Sequence, residues 1–262
     1  MRTRYYYLIK IQFLGYRLHG WQHQPNLKTV ESLLKKTFRF VLGKASFKIL
    51  GSSRTDAMVS AQEATLELFL ENKPLEDQKE FLKEFNRNLP PDIRALEIEE
   101  VDSKFNIIQN AKKKEYAYIF AYGEKSHPFC APFLTTLLGD LDIELMREGA
   151  KLFEGEHNFK SYCSKPTGEG NYQRELLKCE ISRNTLISAS FFPEESYVLH
   201  VHGNGFLRNQ VRLIMGCLIQ LGRGEFGIET VKESLQQDST ISMNYIAPAS
   251  GLLLNRIELL TD

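Results

Sequence analysis

Residues 206–222, FLRNQVRLIMGCLIQLG, are apolar nearly all the way round a helix. Phe206, Leu207, Val211, Leu213, Ile214, Met215, Cys217, Leu218 and Leu221 leave no broad polar face. Such a helix has to be enclosed by other elements. The chain can provide them: its 262 residues, 42% hydrophobic and 25% charged, fit a globular protein of about one or two domains. Arg208 and Arg212 lie four apart, on one face of this helix. If Arg212 is held inside, it must pair with an acid, and Arg208 beside it can meet phosphate. If both emerge on a solvent stripe, neither needs a partner. The pattern leaves both readings open.

The remaining elements mix helices and strands. Residues 4–13 alternate, with Tyr5, Tyr7, Ile9, Ile11 and Phe13 on one side, which predicts a strand. The turn-rich GYRLHGWQHQPN follows. Thr29 then caps a helix whose apolar face is Val30, Leu33, Leu34, Phe38 and Val41, closed by Gly43. Strands are expected at 45–50 and 61–70, a helix at 75–88 stopped by Pro90 and Pro91, and strands at 94–100 and 114–122. A helix at 141–153, strands at 175–182, 185–191 and 197–203, a helix at 227–237 and a strand at 252–259 complete the series. Hairpin-like neighbours outnumber strand–helix–strand units, so the expected class is α+β. The division falls into an N-terminal half, 1–105, and a C-terminal half, 106–262, whose last strands can pair across the halves.

No apolar run approaches the roughly 20 residues that span a bilayer. The start, MRTRYYYLIKIQF, alternates and has no continuous apolar core, unlike a signal peptide; the expected address is cytoplasmic. Cys130, Cys163, Cys179 and Cys217 form no CxxC pair and read as reduced packing residues. His200 and His202 share a strand face without a third ligand, so no metal site is expected. The net charge is zero, from 33 basic and 33 acidic residues. That speaks against a nucleic-acid partner unless the charges segregate into a basic cleft.

Several segments could carry chemistry. In GSSRTDAMVSA, Asp56 sits in a loop between two predicted strands, two residues from Arg54, with Ser53 and Thr55 able to bond the loop backbone. An adjacent guanidinium would keep the carboxylate ionised, suited to nucleophilic or general-base work. On the loop alone, a turn aspartate capping a backbone N–H is the commoner reading. Tyr116 and Tyr118 alternate on a strand after Lys112, Lys113 and Lys114, a pattern that can stack a base and hold its backbone, or simply pack. Trp21, Gln22 and Gln24 lie in a turn before a helix; exposed, they could touch nucleotides, though the tryptophan could equally plug the base of the domain.

These segments together resemble the TruA family of tRNA pseudouridine synthases. GWQHQP with TVESLL is similar to that family's N-terminal motif. GSSRTDAMVSA resembles its catalytic loop, usually GAGRTDAGVHA. FNRNLPPDIRA resembles ALNxxLPxDIxV, KKEYAY the K/R-x-Y-x-Y strand, and FEGEHNFKSYC the LxGxHDFxxF segment. FLRNQVRLIMGCLIQLGRGE resembles FLRxMVRxIVGxLLxVGxGK, and APASGLLLNRIEL the C-terminal APAxGLxLxxV strand. The matches run in order over nearly the whole chain.

The resemblance implies two related α+β halves with antiparallel or mixed sheets meeting at a central RNA-binding cleft, helices on the outer faces, and a homodimer. It implies isomerisation of uridine to pseudouridine in the anticodon stem-loop of tRNA, on a flipped nucleotide, without metal or cofactor. Asp56 would be the nucleophile and Arg212 its ion-pair partner. Tyr116 would stack on the target uracil, Arg54 would help extrude the base, and Arg208, Trp21, Gln22 and Gln24 would touch the RNA.

The sequence also departs from the family pattern. Ser53 and Met58 stand where glycine is usual, and Ser60 where histidine is usual. Phe105-Asn106-Ile107-Ile108 replaces FHAR, Gln210 replaces methionine, and FLGYRLHG replaces YDGSxFxG. A different RNA site, or a catalytically retired RNA-binding paralogue, are the alternatives these changes leave open.

Overall fold

A computed structural model describes residues 3–168 and 170–260; Met1 and Arg2 of the basic start lie outside the described residues. In chain order the elements are β1 (Arg4–Phe13), α1 (Val30–Leu42), β2 (Phe47–Gly51), β3 (Ser60–Glu71), α2 (Gln78–Asn88), β4 (Ile93–Glu100), α3 (Ile107–Asn110) and β5 (Ala111–Gly123). There follow β6 (Thr135–Leu138), α4 (Ile143–Lys151), β7 (Gly155–Asn158), β8 (Gln173–Arg183), β9 (Tyr197–Gly203), α5 (Gln210–Gly222), α6 (Ile228–Ser234) and β10 (Leu252–Leu259). The class is α+β. The chain forms two compact units, Met1–Lys112 with Leu254–Asp262, and Lys113–Leu253. The C-terminal strand from Leu254 onward thus belongs with the N-terminal unit.

In the first unit β1 lies antiparallel between β3 and β4, β2 pairs antiparallel with β3, and β10 neighbours β3. The period-2 pattern of β1 buries Tyr7, Ile9, Ile11 and Phe13. Thr29 caps α1 through a reciprocal bond pair with Ser32. Phe38 of α1 stacks on Phe85 of α2, with ring centroids 4.3 Å apart. The second helix starts later than the sequence suggests, at Gln78, because Asp77 stays extended and accepts from the backbone N–H groups of Lys79 and Glu80.

In the second unit the order is β5-β9-β8-β7, antiparallel throughout, with β6 parallel to β5. The all-round apolar helix is α5, and of its 13 residues only Arg212 and Gln220 are not buried. It begins at Gln210, four residues later than expected. Asn209 takes a left-handed backbone (φ 59°), so 206–209 lie outside the helix and Arg208 shares no helix face with Arg212. No strand forms over 185–191. The Asn184 side chain accepts from the N–H groups of Leu186 and Ile187 and donates to the Ile187 carbonyl, turning the chain before a ladder can form.

Candidate active site

Asp56 lies on the connection between β2 and β3, and both flanks of that connection are pinned. On the strand side, the Ser52 hydroxyl donates to the Thr65 carbonyl (3.1 Å) and accepts from the Thr65 hydroxyl (2.7 Å). On the other side the segment Gly15–Trp21 runs alongside. Gly15 N donates to Ser60 Oγ (2.9 Å), Trp21 N to the Thr55 carbonyl (3.0 Å), and Met58 N to the Leu18 carbonyl (3.0 Å). A Cβ on Gly15 would sit 2.0 Å from the Val59 carbonyl oxygen, so only glycine permits this approach. The turn closes through Val59 N to the Asp56 carbonyl (3.3 Å), with Met58 at φ 68°.

Thr55 and Val59 are buried, while Asp56, Ala57 and Met58 between them are exposed. The result is a carboxylate exposed on a turn held at both flanks. The Thr55 hydroxyl does not bond the loop backbone as expected, being buried without a hydrogen bond; the flanks are held instead by Ser52 on Thr65 and by Ser60 on Gly15. Arg54 is exposed on the same loop.

Trp21 is not a stacking platform. It is 4% exposed, packs beside Phe13 and lies against Gly51, where a Cβ would come within 2.3 Å of the indole. It plugs the base of the Asp56 loop. Gln22 and Gln24 are exposed, but each amide is engaged: Gln22 donates to Glu31 (3.2 Å) and Gln24 to the His19 carbonyl (3.1 Å). Glu31 also accepts from His23 N and Lys35. Burial pushes its carboxyl up, but the Lys35 ammonium and the His23 N–H outweigh that and hold it below the usual range. Glu31 thereby fastens the WQHQ turn to the start of α1.

The second unit carries Tyr116, Arg208 and Arg212. Tyr116 on β5 is 8% exposed and meets the edge of Phe206 at 5.0 Å between centroids. Arg212, on the first turn of α5, donates through Nε to the Ala247 carbonyl (2.7 Å), and its own carbonyl accepts from Ala247 N (3.1 Å). Beside it the Tyr118 hydroxyl donates to the Pro248 carbonyl (2.8 Å), and burial pushes that phenol far up. Arg208 is exposed, its carbonyl accepting from Ser164 N. In the basic run before Tyr116 one lysine is paired with an acid. Lys113 pairs with Glu115 at 2.9 Å, and burial pushes the Lys114 ammonium down.

Among the described residues no cluster of His, Cys, Asp and Glu could hold a metal ion, and no helix is long and apolar enough to cross a membrane. The four cysteines are free, and Cys130, Cys179 and Cys217 are buried.

A family model described as tRNA pseudouridine synthase matches residues 150–258, the stretch that carries Arg208, α5 and most of β10. The class is therefore that of the pseudouridine synthases, which are isomerases. Over 254 residues the chain is 31% identical to tRNA pseudouridine synthase A 2 of Bacillus anthracis, covering 96% of this chain and 98% of that one. It is 31% identical to tRNA pseudouridine synthase A of Aquifex aeolicus over 255 residues, with 96% and 98% covered. For the tRNA pseudouridine synthase A of Clostridium kluyveri the identity is 31% over 249 residues, with 94% and 96% covered. The chain belongs to the TruA family of tRNA pseudouridine synthases.

Proposed function

We propose that this enzyme isomerises uridine to pseudouridine in the anticodon stem-loop of tRNA, with Asp56 as the working carboxylate. The observation that carries the reading is the pinned turn on which Asp56 is exposed between buried Thr55 and Val59. The reaction breaks the bond from C1′ to N1 of uracil, rotates the base and joins C5 to C1′. The C5 proton leaves and N1 regains one, so no oxidant or second substrate is needed. A carboxylate held at C1′ serves this by attack on the sugar carbon or by assisting loss of a sugar proton. Fixed geometry matters because a small misplacement forfeits much of the rate.

The target atoms are hidden in stacked RNA, so the nucleotide must be turned out. Arg54, exposed two residues from Asp56, is assigned that step, and Tyr116 the stacking face for the uracil. Arg212 is assigned the counter-charge of the carboxylate, Arg208 a phosphate contact, and Gln22 and Gln24 contacts from the turn that Glu31 fastens. The enzyme acts as a homodimer in the cytoplasm in this reading.

Wild-type protein is expected to release tritium from tRNA labelled at uracil C5, and Asp56→Asn to release none. If the wild type binds tRNA but frees no label from any tRNA pool, it is an RNA-binding paralogue and this reading fails. Pseudouridine maps of a deletion strain and its parent would then fix the position: loss outside the anticodon stem-loop overturns that part.

A further inference from the structure

We propose that Met58 is a specificity-determining residue, whose side chain packs against a nucleobase next to the uridine that Asp56 acts on. The inference rests on the functional reading above. Its grounds are local to the loop. Met58 has a left-handed backbone (φ 68°), a region that glycine occupies freely and a side chain with a Cβ does not. Its N–H is already matched by the Leu18 carbonyl at 3.0 Å, a bond that glycine would make equally well. The residue is 37% exposed, so it is not enclosed in the core. The turn itself does not ask for methionine at this position.

What the side chain does have is an address. It stands two residues from Asp56 in a run of three exposed residues, on a turn pinned at both flanks. Any RNA that brings a ribose to Asp56 must cover this run. Methionine is uncharged and offers phosphate nothing, so its favourable contact is with an apolar or π surface. Apolar side chains of this kind wedge against bases where a helix is opened, and such an opening is what a flipped nucleotide leaves behind. The nearby Arg54 and Asp56 are charged, which makes Met58 the large apolar side chain of the exposed run.

The test compares wild type with Met58→Gly and Met58→Leu. Readouts are tritium release from uracil-C5-labelled tRNA, tRNA affinity by filter binding, and the thermal midpoint. Met58→Gly should keep or raise the midpoint, because it relieves the left-handed backbone, while weakening tRNA binding and raising KM by about fivefold to tenfold at an unchanged kcat. Met58→Leu should stay within about twofold of wild type in KM and affinity. Equal KM and affinity for wild type and Met58→Gly would overturn the proposal, as would a fall in kcat alone, which would mean that the side chain only sets the loop. If the wild type binds tRNA without releasing tritium, the functional reading fails while the binding comparison still decides Met58. If the wild type does not bind tRNA, both fall.

Discussion

The backbone N–H of Gly15 donates to the hydroxyl of Ser60 at 2.9 Å, across 45 residues of chain and with both groups buried. This bond and the approach of Gly15 to Val59 hold one flank of the Asp56 turn. Ser60→Ala leaves a buried N–H unmatched, which should cost about 1–3 kcal/mol in urea unfolding and lower tritium release further than stability alone explains. Ser60→Thr keeps the hydroxyl and should recover most of both. Gly15→Ala must part the two segments, and about 3 kcal/mol or more is expected. A Ser60→Ala variant as stable and active as the wild type would show that the turn is held by its other bonds.

Arg212 gives a second prediction, of a different kind. Its Nε bond to the Ala247 carbonyl and the return bond from Ala247 N tie α5 to the segment leading into β10. Arg212→Ala should therefore destabilise the fold by about 1–3 kcal/mol whatever its part in catalysis. Arg212→Lys keeps the charge but has no planar fork to aim at the carbonyl. It is expected to lose stability nearly as much as the alanine variant. Calorimetric midpoints for the two variants decide this: a lysine variant as stable as wild type would mean that charge, and not the Nε geometry, matters.

Elements built on local signals were legible in the sequence. The strand period of β1, the Thr29 cap and the enclosure of α5 all follow from residue order alone. The structure departs from the pattern where a single residue overrides it. Asn184 captures two N–H groups and cancels a strand, and Asn209 in a left-handed turn shortens a helix and takes Arg208 off it. That Asp56 sits on a connection between two strands was legible, because the runs on either side read as strands. Its supports were not. The Gly15–Ser60 and Ser52–Thr65 bonds join residues far apart in sequence, and a serine carries no mark of which distant N–H or carbonyl it will meet. Burial of Trp21 is equally non-local, since it depends on Gly51 at the end of β2.

His200 and His202 predict how stability responds to mild acid. They share a face of β9, with rings 6.4 Å apart, and the Ser182 hydroxyl lies 3.1 Å from His200 Nε2. Burial comes first in pushing both imidazoles below the ordinary 6.5; Lys178 adds to this at His200, while at His202 Glu115 opposes it. A histidine held neutral in the fold is protonated first in the unfolded chain. Stability is thus full above the unfolded value and falls as pH drops through it toward the folded one. The contribution of this pair to the urea midpoint, read as the difference from a variant lacking both histidines, should decrease between about pH 7.5 and about pH 5.5. The double variant His200→Gln, His202→Gln is that reference, and its own midpoint should fall less over the same range. Glu31, held low, acts only below the ordinary carboxyl range and so does not confuse this window.

Glu67 supplies the prediction with opposite sign. It lies in β3 between Leu8 of β1 and Leu50 of β2, and is 1% exposed. One carboxyl oxygen accepts from Ile107 N at 3.3 Å, and the other makes no hydrogen bond. Burial raises its pKa, only partly opposed by the Ile107 N–H and Lys48. An acid with a raised folded pKa ionises first in the unfolded chain, so stability is lost as pH rises from the ordinary 4.5 through the folded value. Glu67→Gln keeps the acceptor for Ile107 and removes the charge, at the cost of an unmatched amide donor. Near pH 8 it should stabilise the protein by about 1 kcal/mol, and near pH 4.5 the two proteins should converge. Glu67→Ala loses the Ile107 acceptor and leaves a void, and should destabilise at both pH values. Urea unfolding of the three proteins at each pH is the measurement. A glutamine variant less stable than wild type near pH 8 would mean that the ionised carboxylate is itself a stabilising member of this unit.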